Sequence, residues 1–150
     1  LAGCLFWGWL RAHPLLHLPV EAFALPLALT GLNSRWRLAA AFYLSSLLGT
    51  ACTDLMMAVT GVMQAWPTVV MAPIDVAPGL LHQAGLQLLH PLPMLLLTLA
   101  AALILGLGRR WGLMGSSWSI AGAVLVTTVW VDGLFLITAL LQPGLSGLIE

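Results

Sequence analysis

Charge is what this chain has least of. Its 150 residues carry five basic and five acidic side chains, 7% of the total, where a soluble domain has about 25%. Most of such a surface cannot face water, and with 61% hydrophobic residues the composition is that of an integral membrane protein. Zero net charge leaves no electrostatic footprint for nucleic acid. Cysteine is scarce too. Cys4 and Cys52 lie 48 residues apart in apolar runs, which makes neither a disulfide framework nor a metal motif, and both read as small buried hydrophobes. The chain also lacks a glycine-rich phosphate loop, an HExxH pair, a nucleophile elbow and a usefully spaced Cys–His pair, so it is not expected to be an enzyme.

What the chain has is long apolar runs. A helix needs about 20 such residues to cross a bilayer. Residues 1–10 supply half of that, without the basic flank or cleavage pattern of a signal peptide, and read as the end of a helix that starts upstream. Residues 18–32 form a short second span that Pro26 should kink. Residues 38–63 form a third, continuous except for Asp54. Residues 92–107 form a fourth, with prolines in its first turn, where they are tolerated. A fifth lies within residues 112–141 and contains Asp132, with 112–117 as a turn or interfacial lead-in. The expected fold is an all-α polytopic membrane bundle of about five spans, the first partial, in one domain over residues 1–150.

Arginines sort the connections. Arg35 and Arg37 lie between the second and third spans, Arg109 and Arg110 between the fourth and fifth. Alternating spans put both pairs on one side, against Arg11 alone on the other, together with Asp75. The positive-inside rule then makes residues 33–37 and 108–111 cytoplasmic loops and places 11–17 and 64–91 outside. Trp36 and Trp111 flank the basic clusters as interfacial tryptophans do, and Trp66 marks the opposite interface. In the outer loop Pro67, Pro73 and Pro78 break the chain early. From Gly79 onward, Gln83, Gln87 and His90 share a helical face opposite leucines, the pattern of a short interfacial helix lying over the bundle.

An ionisable side chain inside a span costs about 2.5–3.5 kcal/mol on insertion scales, so Glu21, Asp54 and Asp132 form a candidate intramembrane polar site. Asp54 lies about 24 Å of helix rise past Leu38, Asp132 lies late in its span, and Glu21 lies near the outer start of the second. His13, His17, His82 and His90 fall on the same outer side, as candidate metal or pigment ligands. The spacing His13-x3-His17-x3-Glu21 would line one helical face and suit a first-row metal. However, Pro14 and Pro19 interrupt the run, and Leu18 before a proline disfavours helix. His82 and His90, eight residues apart, diverge by about 80°. Thr50-x3-Asp54-x5-Thr60 recurs as Thr128-x3-Asp132-x5-Thr138. Small residues at four-residue spacing (Ser45, Gly49 and Thr53 in the third span, Gly115, Ser119 and Ala123 in the fifth) let helices pack closely. Asp54 and Asp132 therefore read first as packing and partner-docking residues, and second as an ion site.

Three stretches carry a resemblance: AFYLSSLLGTACTDL at 41–55, the proline-punctuated region 66–84 with VMAPIDVAPGLLHQA, and VDGLF at 131–135. They resemble an uncharacterised family of multi-span membrane proteins of cyanobacteria. The chain departs from that family after Leu55, where MMAV stands in place of an aromatic run. The resemblance implies a photosynthetic host, hence a thylakoid or plasma membrane, with the outer loop 64–91 facing the lumen in a thylakoid. The function expected first is a non-enzymatic accessory protein, a subunit or assembly factor of a larger photosynthetic membrane complex, with the bilayer and other membrane subunits as partners. A small ion, proton or metal transporter using the outer acidic and histidine cluster is the alternative, and a chlorophyll-binding subunit another.

Overall fold

The computed structural model describes residues 13–145 of the chain, and every described element in it is helical. The helices are α1 (Pro14–Glu21), α2 (Leu25–Gly31), α3 (Arg37–Val59), α4 (Val62–Met71), α5 (Ala77–Leu88), α6 (Pro91–Gly112) and α7 (Ser116–Leu141). One 3-10 turn, Ala22–Ala24, links α1 to α2, and another, Pro143–Leu145, follows α7. The 23, 22 and 26 residues of α3, α6 and α7 rise about 34, 33 and 39 Å at 1.5 Å each, enough to cross a hydrocarbon core of about 30 Å. These three are long and apolar enough to span a membrane. Most of their large side chains point outward, among them Phe42, Leu55, Leu95, Leu103 and Leu134. Outward apolar surface of this extent suits lipid rather than water.

Helix α7 is the centre of the bundle. It packs against α6 on one side and α3 on another, while α1 and α2 lie against α3. The core is built from small residues. On α7 it runs through Ala121, Leu125 and Ala139, and on α3 through Ala41, Ser45 and Gly49. Small side chains let backbones approach where lipid gives no hydrophobic drive to associate. The α6–α7 hairpin shows the closest approach: Gly108 stacks on Gly122, and a Cβ on Gly122 would collide with the carbonyl of Gly108. The expected small set on the fifth span is not the one that packs. Ala123 and Gly115 are exposed and Ser119 is half-buried, while Ala121 and Gly122 carry the contact.

Several expected boundaries move. The third span does not run to Met63. It ends at Val59, and Gly61, with φ 81°, turns the chain into α4. That left-handed backbone favours glycine, and a uniformly apolar sequence hides the break. Pro67 does not break the outer segment but sits inside α4, so the segment holds two helices where one was expected. Pro78 lies in the first turn of α5, where its missing N–H costs nothing. The second span bends at Ala22–Ala24, before Pro26, which again occupies a first turn. Pro19 and Leu18 are helical, contrary to expectation. Residues 108–111 are the last helical turns of α6 rather than a loop, and the turn itself is 113–115. The partial span at residues 1–10, Cys4 and Arg11 lie outside the described residues.

The outer helices fold onto the end of the bundle. Val69 of α4, Leu81 of α5 and Ala139 of α7 form one buried cluster, with Trp66 and Leu80 packed against it. Trp66 thus anchors the outer pair from within. Gln83 and Gln87 are exposed on one face of α5, but His90 lies past its end, as the extended residue before α6, and does not share that helical face.

Candidate functional site

The central polar contact lies between α3 and α7. Thr53 Oγ1 donates to the carboxyl of Asp132 at 2.7 Å. One turn earlier on both helices, Gly49 faces Thr128, whose Oγ1 would lie 2.6 Å from a Cβ at position 49. Gly49 to Thr53 is one i, i+4 step and Thr128 to Asp132 is another, in the same direction. Helices α3 and α7 therefore run parallel. Ala41, Ser45, Gly49 and Thr53 form the small stripe on one side, and Ala121, Leu125, Thr128 and Asp132 the stripe on the other. Thr128 and Ser45 return their hydroxyls to their own helix, at Val124 O (3.1 Å) and Ala41 O (2.7 Å), so neither hydroxyl is left bare in the seam.

Asp54 follows Thr53 and projects about 100° further round the helix. It is half-buried and shares a face with Tyr43, Leu47 and Thr50, the side of α3 that meets α1. Glu21 belongs to that side as well. Tyr43 donates its hydroxyl to the backbone carbonyl of Glu21, at the point where α1 gives way to the 3-10 turn. A groove of about 290 Å³ lies there, lined by Glu21, Phe23, Tyr43, Ser46 and Leu47. Along α3, Tyr43–Leu47 precedes Thr53 by six to ten residues, or about 9–15 Å of rise. Glu21 therefore lies nearer the Arg37 end of α3 than Asp54 and Asp132 do, and the three acids do not share one level.

The histidines are dispersed. His13 precedes α1 and is half-buried. His17 lies on α1, and its side chain falls outside the described residues. His82 sits on α5 with Nδ1 3.3 Å from the carbonyl oxygen of Ala139, near the end of α7. His90 is exposed at the start of α6. Among the described residues no three His, Cys, Asp or Glu side chains come together as a metal site. A second polar link ties the outer helices down: Gln87 Nε2 donates to the carbonyl oxygen of Thr60 at 3.0 Å, where α3 ends.

The four arginines gather at the opposite end. Arg37 and Ser116, the first residues of α3 and α7, each stand twelve residues before the Gly49–Thr128 contact, so both helices begin at one level. Arg109 and Arg110 fall in the last turn of α6, beside that start. Arg37 Nε donates to Leu32 O at 3.0 Å. The Arg35 guanidinium lies 5.3 Å from the centre of the Trp36 ring, within cation–π range. Trp111 and Trp118 meet with ring centres 5.3 Å apart.

Sequence reasoning picked out Asp132 but not its donor. Thr53 entered only as a small residue, Gln87 entered without a partner, and Tyr43 was not singled out. The signal for Thr53 was the matched i, i+4 pair Gly49–Thr53 against Thr128–Asp132.

The profile of a family described as protein of unknown function (DUF3120) matches residues 1–140, and the chain belongs to that family. No curated protein and no solved structure matches it.

Proposed function

Starting from a chain of this family, we propose that the protein is a non-enzymatic integral membrane accessory protein, a subunit or assembly factor of a larger membrane complex. One observation favours a structural role for the half-buried carboxyl over a transport role. The Asp132 carboxyl is engaged by Thr53 within a parallel seam of small residues, the arrangement of a polar side chain that holds helices together. Outward-facing Phe42, Leu103, Trp130 and Leu134 supply surface for lipid and for helices of neighbouring subunits.

In this reading α3, α6 and α7 and the broken pair α1–α2 cross the bilayer; the further span expected at residues 1–10 lies outside the described residues. The positive-inside rule assigns the arginine end to the cytoplasm and the α4–α5 end to the opposite side. The resemblance carried by residues 41–55, 66–84 and 131–135 points to a cyanobacterial thylakoid or plasma membrane and to a photosynthetic complex, with α4–α5 in the lumen. The test is native electrophoresis of membranes solubilised in mild detergent. Co-migration with larger membrane subunits is expected. Migration only as a free monomer or small homo-oligomer overturns the proposal.

A further inference from the structure

The arginine end combines three features. It holds Arg35, Arg37, Arg109 and Arg110, all exposed. The acids among the described residues, Glu21, Asp54, Asp75 and Asp132, lie elsewhere: Glu21 level with Tyr43–Leu47, Asp54 and Asp132 near the far end of the long helices, Asp75 in the outer α4–α5 turn. Exposed apolar side chains stand beside each arginine pair, Trp36 (61% exposed) and Leu38 by the first, Leu113 (90%) and Met114 by the second.

The connections are also short. Residues 32–36 and 113–115 make the turns, too little chain to carry the arginines far from the helix ends. Guanidinium groups therefore stay at the depth of the helix termini. Tryptophan marks the same depth, because amphipathic rings collect at the headgroup level. At that level Leu113 and Met114 enter the acyl boundary, while the arginines reach the plane of the lipid anionic groups. A soluble acidic protein would leave those apolar side chains in water, which argues for lipid as the occupant. Arg37 is held by Leu32 O and shapes the turn, which leaves Arg35, Arg109 and Arg110 to meet the ligand. Arg109 and Arg110 also lie at a helix C-terminus, where their charge is favoured before any ligand arrives.

We infer that this end of the bundle binds anionic lipid headgroups, with Arg35 beside α3 and Arg109 and Arg110 at the end of α6 engaging phosphate and Trp36, Leu113 and Met114 seating the surrounding interface. The inference is independent of which compartment the end faces. Guanidinium recognises phosphate through paired N–H donors, so the preference should be for an anionic over a zwitterionic headgroup.

The experiment is native mass spectrometry of the purified full chain, exchanged into mixed micelles containing equal phosphatidylglycerol and phosphatidylcholine. Preferential retention of phosphatidylglycerol is expected, weakening as salt rises. Each arginine contributes roughly a fivefold preference, so R35Q/R109Q/R110Q should lose on the order of a hundredfold. Equal retention of the two lipids by the wild type overturns the inference. So does undiminished retention by the triple variant. Displacement of phosphatidylglycerol by a soluble polyglutamate peptide overturns it in favour of an acidic protein partner. If the triple variant does not fold, the salt dependence of retention by the wild type decides: retention indifferent to salt overturns the inference.

Discussion

Thr53 and Asp132 are 79 residues apart in sequence and joined by a 2.7 Å hydrogen bond. The bond fixes both the neighbour and the direction of α7 relative to α3, because Gly49 and Thr128 repeat the pairing one turn earlier. A carboxyl facing hydrocarbon would be costly. Between two helices, with a hydroxyl donor, it becomes a registration point.

Asp132 and Thr53 should therefore behave as a coupled pair. In a double-mutant cycle of Thr53→Val and Asp132→Leu, measured by unfolding in detergent, the coupling should be about 0.6–1.7 kcal/mol, the range for hydrogen bonds between membrane helices. Asp132→Asn keeps an acceptor for Thr53 and should stay close to the wild type. Additive effects of the two substitutions would show that the bond does not hold the helices.

The glycine contacts predict an order of severity. Gly122→Ala places its methyl against backbone, the Gly108 carbonyl and Gly112 N at 2.9 Å, and backbone cannot rotate away. Gly49→Ala meets a side chain, Thr128. Overpacking costs typically about 1–3 kcal/mol, and Gly122→Ala should fall at or above the upper end of that range. Gly49→Ala should be milder and partly rescued by Thr128→Ala. Thermal unfolding in detergent reads the order, and rescue that fails would mean the α3–α7 seam tolerates no local adjustment.

Sidedness can be read by thiol labelling. With Cys4 and Cys52 replaced by serine, Asn33→Cys reports the arginine end and Asp75→Cys reports the α4–α5 turn. An impermeant maleimide added to sealed vesicles whose periplasmic or lumenal face is turned outward should label the Asp75→Cys protein and spare the Asn33→Cys protein until the membrane is opened. Labelling of both from one side would contradict the crossing of the membrane by α3, and labelling in the reverse sense would overturn the orientation alone.

How much of this was legible in the sequence differs by residue. Asp132 stood out because a charge in an apolar run is costly wherever it lies. Its partner did not, since Thr53 becomes a donor only once two distant helices are set side by side in register. The helical class and the three long spans follow from composition and run length. The turn at Gly61 does not, because residues 38–63 are apolar on both sides of it and a lone glycine there fits a helix as well as a break. Pro19 and Pro67 misled in the other direction. Each removes one backbone donor, a loss the surrounding helix absorbs. Glu21 was placed by its position in the chain, whereas its depth is set by Tyr43 on the neighbouring helix.

The junction of α3 with the outer helices gives a last expected outcome. Gln87 donates to Thr60 O at 3.0 Å, satisfying one of the carbonyls left bare where α3 ends. Gly61 makes the turn with φ 81°, and a Cβ there would lie 2.9 Å from Gln87 Nε2. One side chain and one backbone conformation thus hold the same corner. Gln87→Leu removes the donor and strands the carbonyl, costing about 1–3 kcal/mol where it is shielded from water. Gly61→Ala strains the backbone and pushes on the same amide. Both should raise hydrogen exchange across α4 and α5 while leaving the amides of the α3–α7 seam protected, because the outer pair opens as a local unit before the bundle does. Exchange rising equally in α7 around Leu125 would show instead that the outer helices and the central bundle unfold together.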